Sequence, residues 1–271
     1  MPTTWSQGQT TWTKRIDRAV ELADQNPSAK QVLAFYSHVL VFQKAIYEKA
    51  KGVTRSPLTH PEELRAALDV DEASCGLPDL IEIVSKNGPI MLAQFADRLR
   101  NSSGQQNRDS LRRWLLAPED SDSGTDFFAR AVLQPQAERL VEAVNFRPQT
   151  LAGNRCPFCR SKPQLAVIRP EGDGGKRMLQ CSLCLSEWEF RRILCPTCGE
   201  ENHEKLPRYS AEGIATVRVE GCDTCRSYLK SVDLTVDGLA VPEVDEVATA
   251  PLDLWAAEHD YRKIQLNLMG F

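Results

Sequence analysis

The chain has 271 residues, a hydrophobic fraction of 42% and a formal net charge of −4, values that fit two or three folded domains and argue against a strongly basic nucleic-acid binder. No run approaches the roughly 18 uninterrupted apolar residues of a membrane span. The opening MPTTWSQGQTTWTK has no basic stretch followed by an apolar one, so no leader is expected and the cytoplasm is the expected location.

Residues 1–150 read as an irregular α-helical bundle. Ile16, Ala19, Val20 and Ala23 suggest a first helix. Val32, Phe35, Tyr36, Val39, Leu40, Ile46 and Tyr47 recur at the spacing of one helix face, behind a Ser28–Gln31 capping box and ending before Gly52. A start at Thr59-His60-Pro61-Glu62 leads to Leu64 and Leu68, followed by segments around Leu80, Ile83 and Val84 and, past Gly88-Pro89, around Leu92, Phe95, Ala96 and Leu99. Leu111–Leu116 predicts a short helix and Phe127–Val144 a longer one that Pro135 should kink or split. Asn101–Asn107 and Pro118–Gly124 read as polar loops. His38 reads as a core or boundary histidine, His60 as a cap residue, and Cys75 as a packed or incidental thiol.

Past Pro148 the composition shifts to cysteine, glycine and short β-prone runs: Gln164–Ile168, Arg177–Gln180, Glu187–Arg191, Ile214–Glu220 and Ser227–Leu234. This half holds four Cys-x-x-Cys pairs, Cys156/Cys159, Cys181/Cys184, Cys195/Cys198 and Cys222/Cys225. In a reducing compartment such pairs read as metal ligands or redox dithiols rather than disulfides. A tetrahedral site for a soft or borderline ion needs four thiolates, and a two-residue gap lets one tight turn present two of them, so four pairs make two sites. Sequential pairing puts Cys156, Cys159, Cys181 and Cys184 around one ion and Cys195, Cys198, Cys222 and Cys225 around the other. The intervening 21 and 23 residues suffice for a hairpin. Ten residues separate Cys184 from Cys195, so interleaving is also open, although sequential pairing needs only local closure. Ribbons this small need the metal as part of their fold.

The ligand set suits zinc or iron alike. Four thiolates leave no open position for activating water, which argues against hydrolysis. No phosphate loop, nucleophile elbow or His-Glu-x-x-His motif appears, so the sequence gives enzyme activity little support. Gly199 after Cys198 allows the left-handed turn that lets backbone N–H groups approach thiolates, whereas Arg160, Leu185 and Arg226 follow the other pairs. His203 reads as a loop residue. The acidic residues Glu243, Asp245, Glu246, Asp253, Glu258 and Asp260 near the C-terminus read as a solvated face, with docking of a basic peptide as the alternative.

Cys156-Pro157-Phe158-Cys159, Cys181-Ser182-Leu183-Cys184 followed by Trp188 and Arg192, Cys195-Pro196-Thr197-Cys198 and Cys222-Asp223-Thr224-Cys225-Arg226-Ser227-Tyr228-Leu229-Lys230 together resemble the formate dehydrogenase accessory protein family, FdhE. So does Asp245-Glu246-Val247-Ala248-Thr249 with Leu252-Asp253. The resemblance spans about 120 residues. It implies a multidomain α+β fold: an all-α helical N-terminal domain (1–150) and two small rubredoxin-like or zinc-ribbon metal modules (151–193 and 194–271). It also implies a cytoplasmic, non-enzymatic maturation factor whose partner is the catalytic subunit of respiratory formate dehydrogenase, with iron favoured over zinc. Where that family has glycine before a late tyrosine, this chain has His259-Asp260-Tyr261.

Two other readings compete. Rubredoxin-type electron transfer requires iron and an exposed route to the thiolates. A nucleic-acid-binding zinc ribbon would use Arg155, Arg160, Lys162, Arg169, Lys176, Arg177, Arg191 and Arg192 with Trp188 and Phe190 for stacking, against the overall acidity and the use of Trp188 as ribbon core. A homo-oligomer is compatible with the sequence.

Overall fold

The structure is a computed structural model and describes residues 8–49, 63–143 and 153–271. The helical half comprises α1 (Gly8–Gln25), α2 (Lys30–Lys49), α3 (Glu63–Ala66), α4 (Val70–Ser74), α5 (Leu77–Asn87), α6 (Ile90–Asn101), α7 (Gly104–Leu116) and α8 (Ser123–Glu142). The expected Thr59–Glu62 start, His60, the end before Gly52 and the end at Val144 lie outside the described residues. No helix among the described residues is long and apolar enough to cross a membrane.

Helix α8 is the axis of this half, buried on nearly every side from Phe127 to Ala137 and packed against the seven other helices just named. Its Gly124 lets α6 approach, because a Cβ there would stand 2.3 Å from the Phe95 ring. Pro135 lies inside α8 without splitting it. Proline cannot donate to the carbonyl four residues back, and that carbonyl, Ala131 O, accepts instead from Gln43 Nε2 on α2 at 3.2 Å. A buried glutamine thus replaces the missing backbone donor.

Asn101–Asn107 is not a loop. Ser103 and Gln106 form a capping box that starts α7 at Gly104, leaving Ser102 and Ser103 as the only link to α6. His38 is exposed, because the buried face of α2 carries Tyr36, Val39, Leu40 and Gln43 and a residue between those positions points the other way. Cys75 is exposed rather than packed.

The second half contains β1 (Pro163–Glu171), β2 (Gly174–Cys181), β3 (Glu187–Glu189), β4 (Arg208–Ala211), β5 (Ile214–Gly221), β6 (Ser227–Asp233), α9 (Pro242–Ala248), α10 (Ala250–Glu258) and β7 (Arg262–Lys263). Strands β4 and β7 were not evident from composition, and β3 is shorter than Glu187–Arg191. Each ribbon is a three-stranded antiparallel meander, β1-β2-β3 and β4-β5-β6. The two join through parallel pairing of β1 with β6, Leu165 opposite Lys230 and Val167 opposite Val232. The result is one sheet in the order β3-β2-β1-β6-β5-β4, with β7 beside β6. The ribbons are thus repeated head to tail, and the last strand of the second covers the edge of the first strand of the first.

The acidic C-terminal segment is largely not a solvated face. Glu243, Asp245, Glu246 and Asp253 are buried, and only Glu258 and Asp260 of the six are exposed. Their bases come from distant elements: Arg15 reaches Glu138 at 2.9 Å and pairs with Glu243, and Arg18 meets Asp245 at 2.6 Å. Lys230 on β6 and Lys263 on β7 enclose Glu246 and Asp253, with Lys230 Nζ 3.1 Å from Glu246 and Lys263 Nζ 2.8 Å from Asp253. Lys230 Nζ also donates to the Glu246 carbonyl at 2.5 Å, and Tyr228 donates to Asp253 at 2.8 Å. Asp260 has φ +60°. Aspartate is among the few non-glycine residues that tolerate this region, which accounts for its place where the related family has glycine.

Candidate metal centres

All four Cys-x-x-Cys pairs fold into the same knuckle. The first cysteine's N–H donates to the carbonyl two residues past the second cysteine, Cys156 to Ser161, Cys181 to Ser186, Cys195 to Glu200 and Cys222 to Ser227, each at 2.9 Å. Making that bond requires a reversal just after the second cysteine. Arg160, Leu185, Gly199 and Arg226 supply it with φ of 62°, 51°, 77° and 57°. Only Gly199 does so without cost, since L-residues lose roughly 1–2 kcal/mol in the left-handed region. Arg160 is exposed, so Arg160→Gly removes strain without removing packing. The expected result is a gain of up to about 1 kcal/mol, read as a raised urea midpoint at unchanged slope.

The knuckles pair sequentially. Within Cys156, Cys159, Cys181 and Cys184, and within Cys195, Cys198, Cys222 and Cys225, the sulfurs all lie within 4.8 Å of one another. Sγ separations are 3.5 Å for Cys156–Cys184 and 3.3 Å for Cys159–Cys181. In the second cluster Cys195–Cys225 and Cys198–Cys222 are each 3.7 Å apart. A tetrahedron with metal–sulfur bonds of about 2.3 Å has edges of about 3.8 Å, whereas a disulfide needs about 2.05 Å. Both clusters therefore have the shape of a four-thiolate cage, and each is capable of coordinating one metal ion. Backbone N–H groups point at the sulfurs: Phe158 at Cys156, Leu183 and Cys184 at Cys181, and Thr197 at Cys195, at 3.3–3.4 Å. The Ser161 and Ser186 hydroxyls lie 3.2 Å from Cys159 and Cys184, placed to donate to a thiolate. Serine two residues after the second cysteine in three of the four pairs is a signal the spacing alone did not reveal.

The clusters differ in their surroundings. All four sulfur-bearing residues of the first are buried and belong to the same apolar core as Leu33, Phe128 and Trp188. Two arginines from the helical half hold its knuckles by their carbonyls. Arg65 donates to Cys159 O at 2.9 Å and to Ser161 Oγ at 2.7 Å. Arg130, 1% exposed, donates to Ser182 O at 3.0 Å, Gln164 Oε1 at 3.0 Å and Leu266 O at 2.9 Å. Neither arginine stood out in the sequence, since each lies on a helix far from the cysteines. In the second cluster Cys198 is exposed and Cys225 half-buried. Closure on all sides thus describes the first cluster only. His203 is an exposed residue of a short 3-10 turn and joins neither cluster.

The basic residues of the first ribbon are mostly neutralised. Arg155 and Lys162 share Glu119, Arg169 pairs with Glu187, Lys176 with Glu189, Arg177 with Glu220 and Arg191 with Glu201. Trp188 and Phe190 are buried, with Trp188 Nε1 donating to Gly153 O, so neither is free to stack on a base.

Comparison with known proteins agrees with this architecture. Residues 155–192 match the profile "FdhE, central domain" and residues 179–269 match "FdhE, C-terminal domain". A protein FdhE homolog of Aquifex aeolicus is 28% identical over 269 residues, 94% of each chain. One from Pseudomonas aeruginosa is 36% identical over 126 residues, 45% of this chain and 41% of that one. The crystal structure of the FdhE protein from Pseudomonas aeruginosa superposes with a TM-score of 0.73 at 26% identity, covering 97% of this chain and 96% of that one. With its helical half, its two four-cysteine clusters and these matches along almost its whole length, the chain belongs to the FdhE family.

Proposed function

We propose that this chain is a cytoplasmic, non-enzymatic accessory factor in the maturation of formate dehydrogenase, binding the catalytic subunit of that enzyme. Family membership supports the partner and the accessory role. The observation that carries the metal part is the pair of cages with sulfur separations of 3.3–3.7 Å. Cys156, Cys159, Cys181 and Cys184 would hold one ion, and Cys195, Cys198, Cys222 and Cys225 the other, iron being favoured by the family and zinc the alternative. Bound there, either metal crosslinks two knuckles, and iron adds a one-electron couple. The chain's own residues orient the sulfurs through the knuckle N–H groups and, in the first cage, exclude water. The division 1–150, 151–193 and 194–271 is proposed as the functional one, with both modules sharing a sheet.

Metal-loaded protein purified without oxygen should retain the catalytic subunit in a pull-down and carry two metal ions per chain by elemental analysis. Failure to retain any formate dehydrogenase subunit would sink the accessory reading. Electron transfer is a second reading favoured by one observation, the exposure of Cys198 and partial exposure of Cys225. It requires iron with a reversible potential, and a protein holding zinc alone rules it out.

A further inference from the structure

The knuckles of the first cage form part of the wall of a cleft that the metal chemistry does not use. One end is a cavity of about 310 Å³ between the C-terminus of α7, the middle of α8 and the two knuckles. Among the described residues Arg65, Arg130, Arg155, Arg160 and Lys162 line it, against only two carboxylates, Glu119 and Asp126. Glu119 is shared by Arg155 and Lys162, and Asp126 serves Arg130. Among the described residues Arg65 donates only to neutral acceptors, Cys159 O, Leu115 O and Ser161 Oγ. A half-buried guanidinium with no carboxylate partner among the described residues is a poorly compensated charge. Arg160 is exposed at the rim. The cavity therefore carries a positive excess in a chain that is negative overall.

The other end is apolar. A second cavity of about 710 Å³ shares the walls Pro118, Glu119, Asp126, Lys162 and Gln265 with the first, so the two adjoin along one face. Met91, Leu92, Phe95, Phe127 and Met269 line its far part. Met91 is 76% exposed there, and Leu116 is 87% exposed at the basic end. Methionine and leucine left open along a groove suit apolar side chains arriving from outside, while the cations suit a carboxylate.

We propose that this cleft receives an extended segment of a partner protein in which a carboxylate-bearing residue lies next to bulky apolar side chains. The inference rests on the accessory reading and deepens it: it names the face that meets the partner and the chemistry it selects. A free anion would fill only the basic cavity and leave the apolar one unused, so the adjacency of the two cavities favours a peptide. Charge draws the segment in and places its carboxylate, and the methionine-lined half takes up its apolar residues.

The test uses full-length, metal-loaded protein and fluorescence anisotropy at low salt, where exposed charges are least screened. The probe is a labelled synthetic peptide of two glutamates followed by leucine, methionine and phenylalanine, with a glutamine-for-glutamate control. The glutamate peptide should bind at least about tenfold more tightly than the control, and the double variant Arg160→Gly/Met91→Glu should lose about tenfold, since it removes a charge at one end and places a repelling one at the other. Unchanged metal content and a thermal midpoint no lower than that of wild type show that the variant is folded. Equal binding of the two peptides, no effect of the double variant, or displacement of the peptide by inorganic phosphate without any contribution from Met91 would overturn the proposal, the last assigning the cavity to a free anion. In the pull-down, loss of the catalytic subunit by the double variant supports the cleft. Equal retention by wild type and variant overturns the cleft and leaves the accessory reading standing. If wild type retains no subunit the accessory reading falls, and the peptide titration still decides the cleft.

Discussion

Cys181→Ser should abolish cooperative folding across both halves of the chain, whereas Cys198→Ser should leave the helical half folded. The difference follows from where the two sulfurs lie. Cys181 is fully buried and belongs to the core that contains α8, and the knuckle it starts is tied to α8 through Arg130 and Ser182 O. Structural four-ligand sites contribute about 10–16 kcal/mol of apparent binding free energy, as large as the whole net stability of a domain. Losing one ligand also leaves three thiols in an apolar interior and Arg130 facing a displaced carbonyl. Cys198 is exposed, so its loss falls on β4–β6 and the adjoining turn. Thermal unfolding followed by far-ultraviolet circular dichroism, together with hydrogen exchange of α8 amides, checks this. A Cys181→Ser protein that melts cooperatively within a few degrees of wild type would show that the first cage is not part of the fold. Titration of wild type with a chelator should likewise release metal in two phases, the faster from the second site.

Lys230→Met should cost about 3–5 kcal/mol, the range expected when one member of a buried ion network is removed. It leaves Glu246 and Asp253, both buried, to share Lys263 alone. The pH dependence carries a sign that identifies the mechanism. Burial by itself would raise Glu246 above its ordinary 4.5, but the ammonium groups of Lys230 and Lys263 overcome it and hold the carboxyl at about 2. A depressed carboxyl pKa contributes stability that is present above 4.5 and is lost as pH falls through the window down to about 2. Removing Lys230 removes the largest single cause of that depression and leaves Lys263 and Asn267. The gap in urea midpoint between wild type and Lys230→Met should therefore be widest at neutral pH and narrow as pH drops from about 4.5 towards 2. The comparison is made over the part of that window in which both proteins keep their metal, checked by metal content at each pH. A gap that stays constant across that window would assign the cost to packing instead of charge.

These two sites also mark what sequence could and could not reveal. The eight cysteines were legible because a Cys-x-x-Cys turn is local and sequential pairing needs only a hairpin. The helical stripes were legible for the same reason, and α2 begins at Lys30, close to its expected cap. The acidic tail was misread because its counter-charges, Arg15, Arg18, Lys230 and Lys263, come from the N-terminal helix and from strands that meet it only in the folded chain. That network gives a physical basis to the C-terminal motif: Glu246 and Asp253 hold Lys230, and Thr249 O accepts from Lys230 Nζ at 3.3 Å. The fusion of two ribbons into one sheet was equally hidden, since parallel β1·β6 pairing joins residue 165 to residue 230 and leaves no short-range pattern. Pro135 was read as a breaker because the compensating donor, Gln43, sits on another helix.

The parallel seam between β1 and β6 also sets an order of events during synthesis. The first ribbon emerges from the ribosome well before its neighbour, with the edge of β1 bare until residues 227–233 follow. α1 likewise waits for Asp245 before Arg18 finds its buried partner. Contacts this far apart in sequence form late and slowly, and an uncovered strand edge invites pairing with other chains. A nascent chain stalled or cut before β6 would therefore be an aggregation hazard even with its first metal in place, and completion of the fold is gated by the synthesis of residues 227 onward.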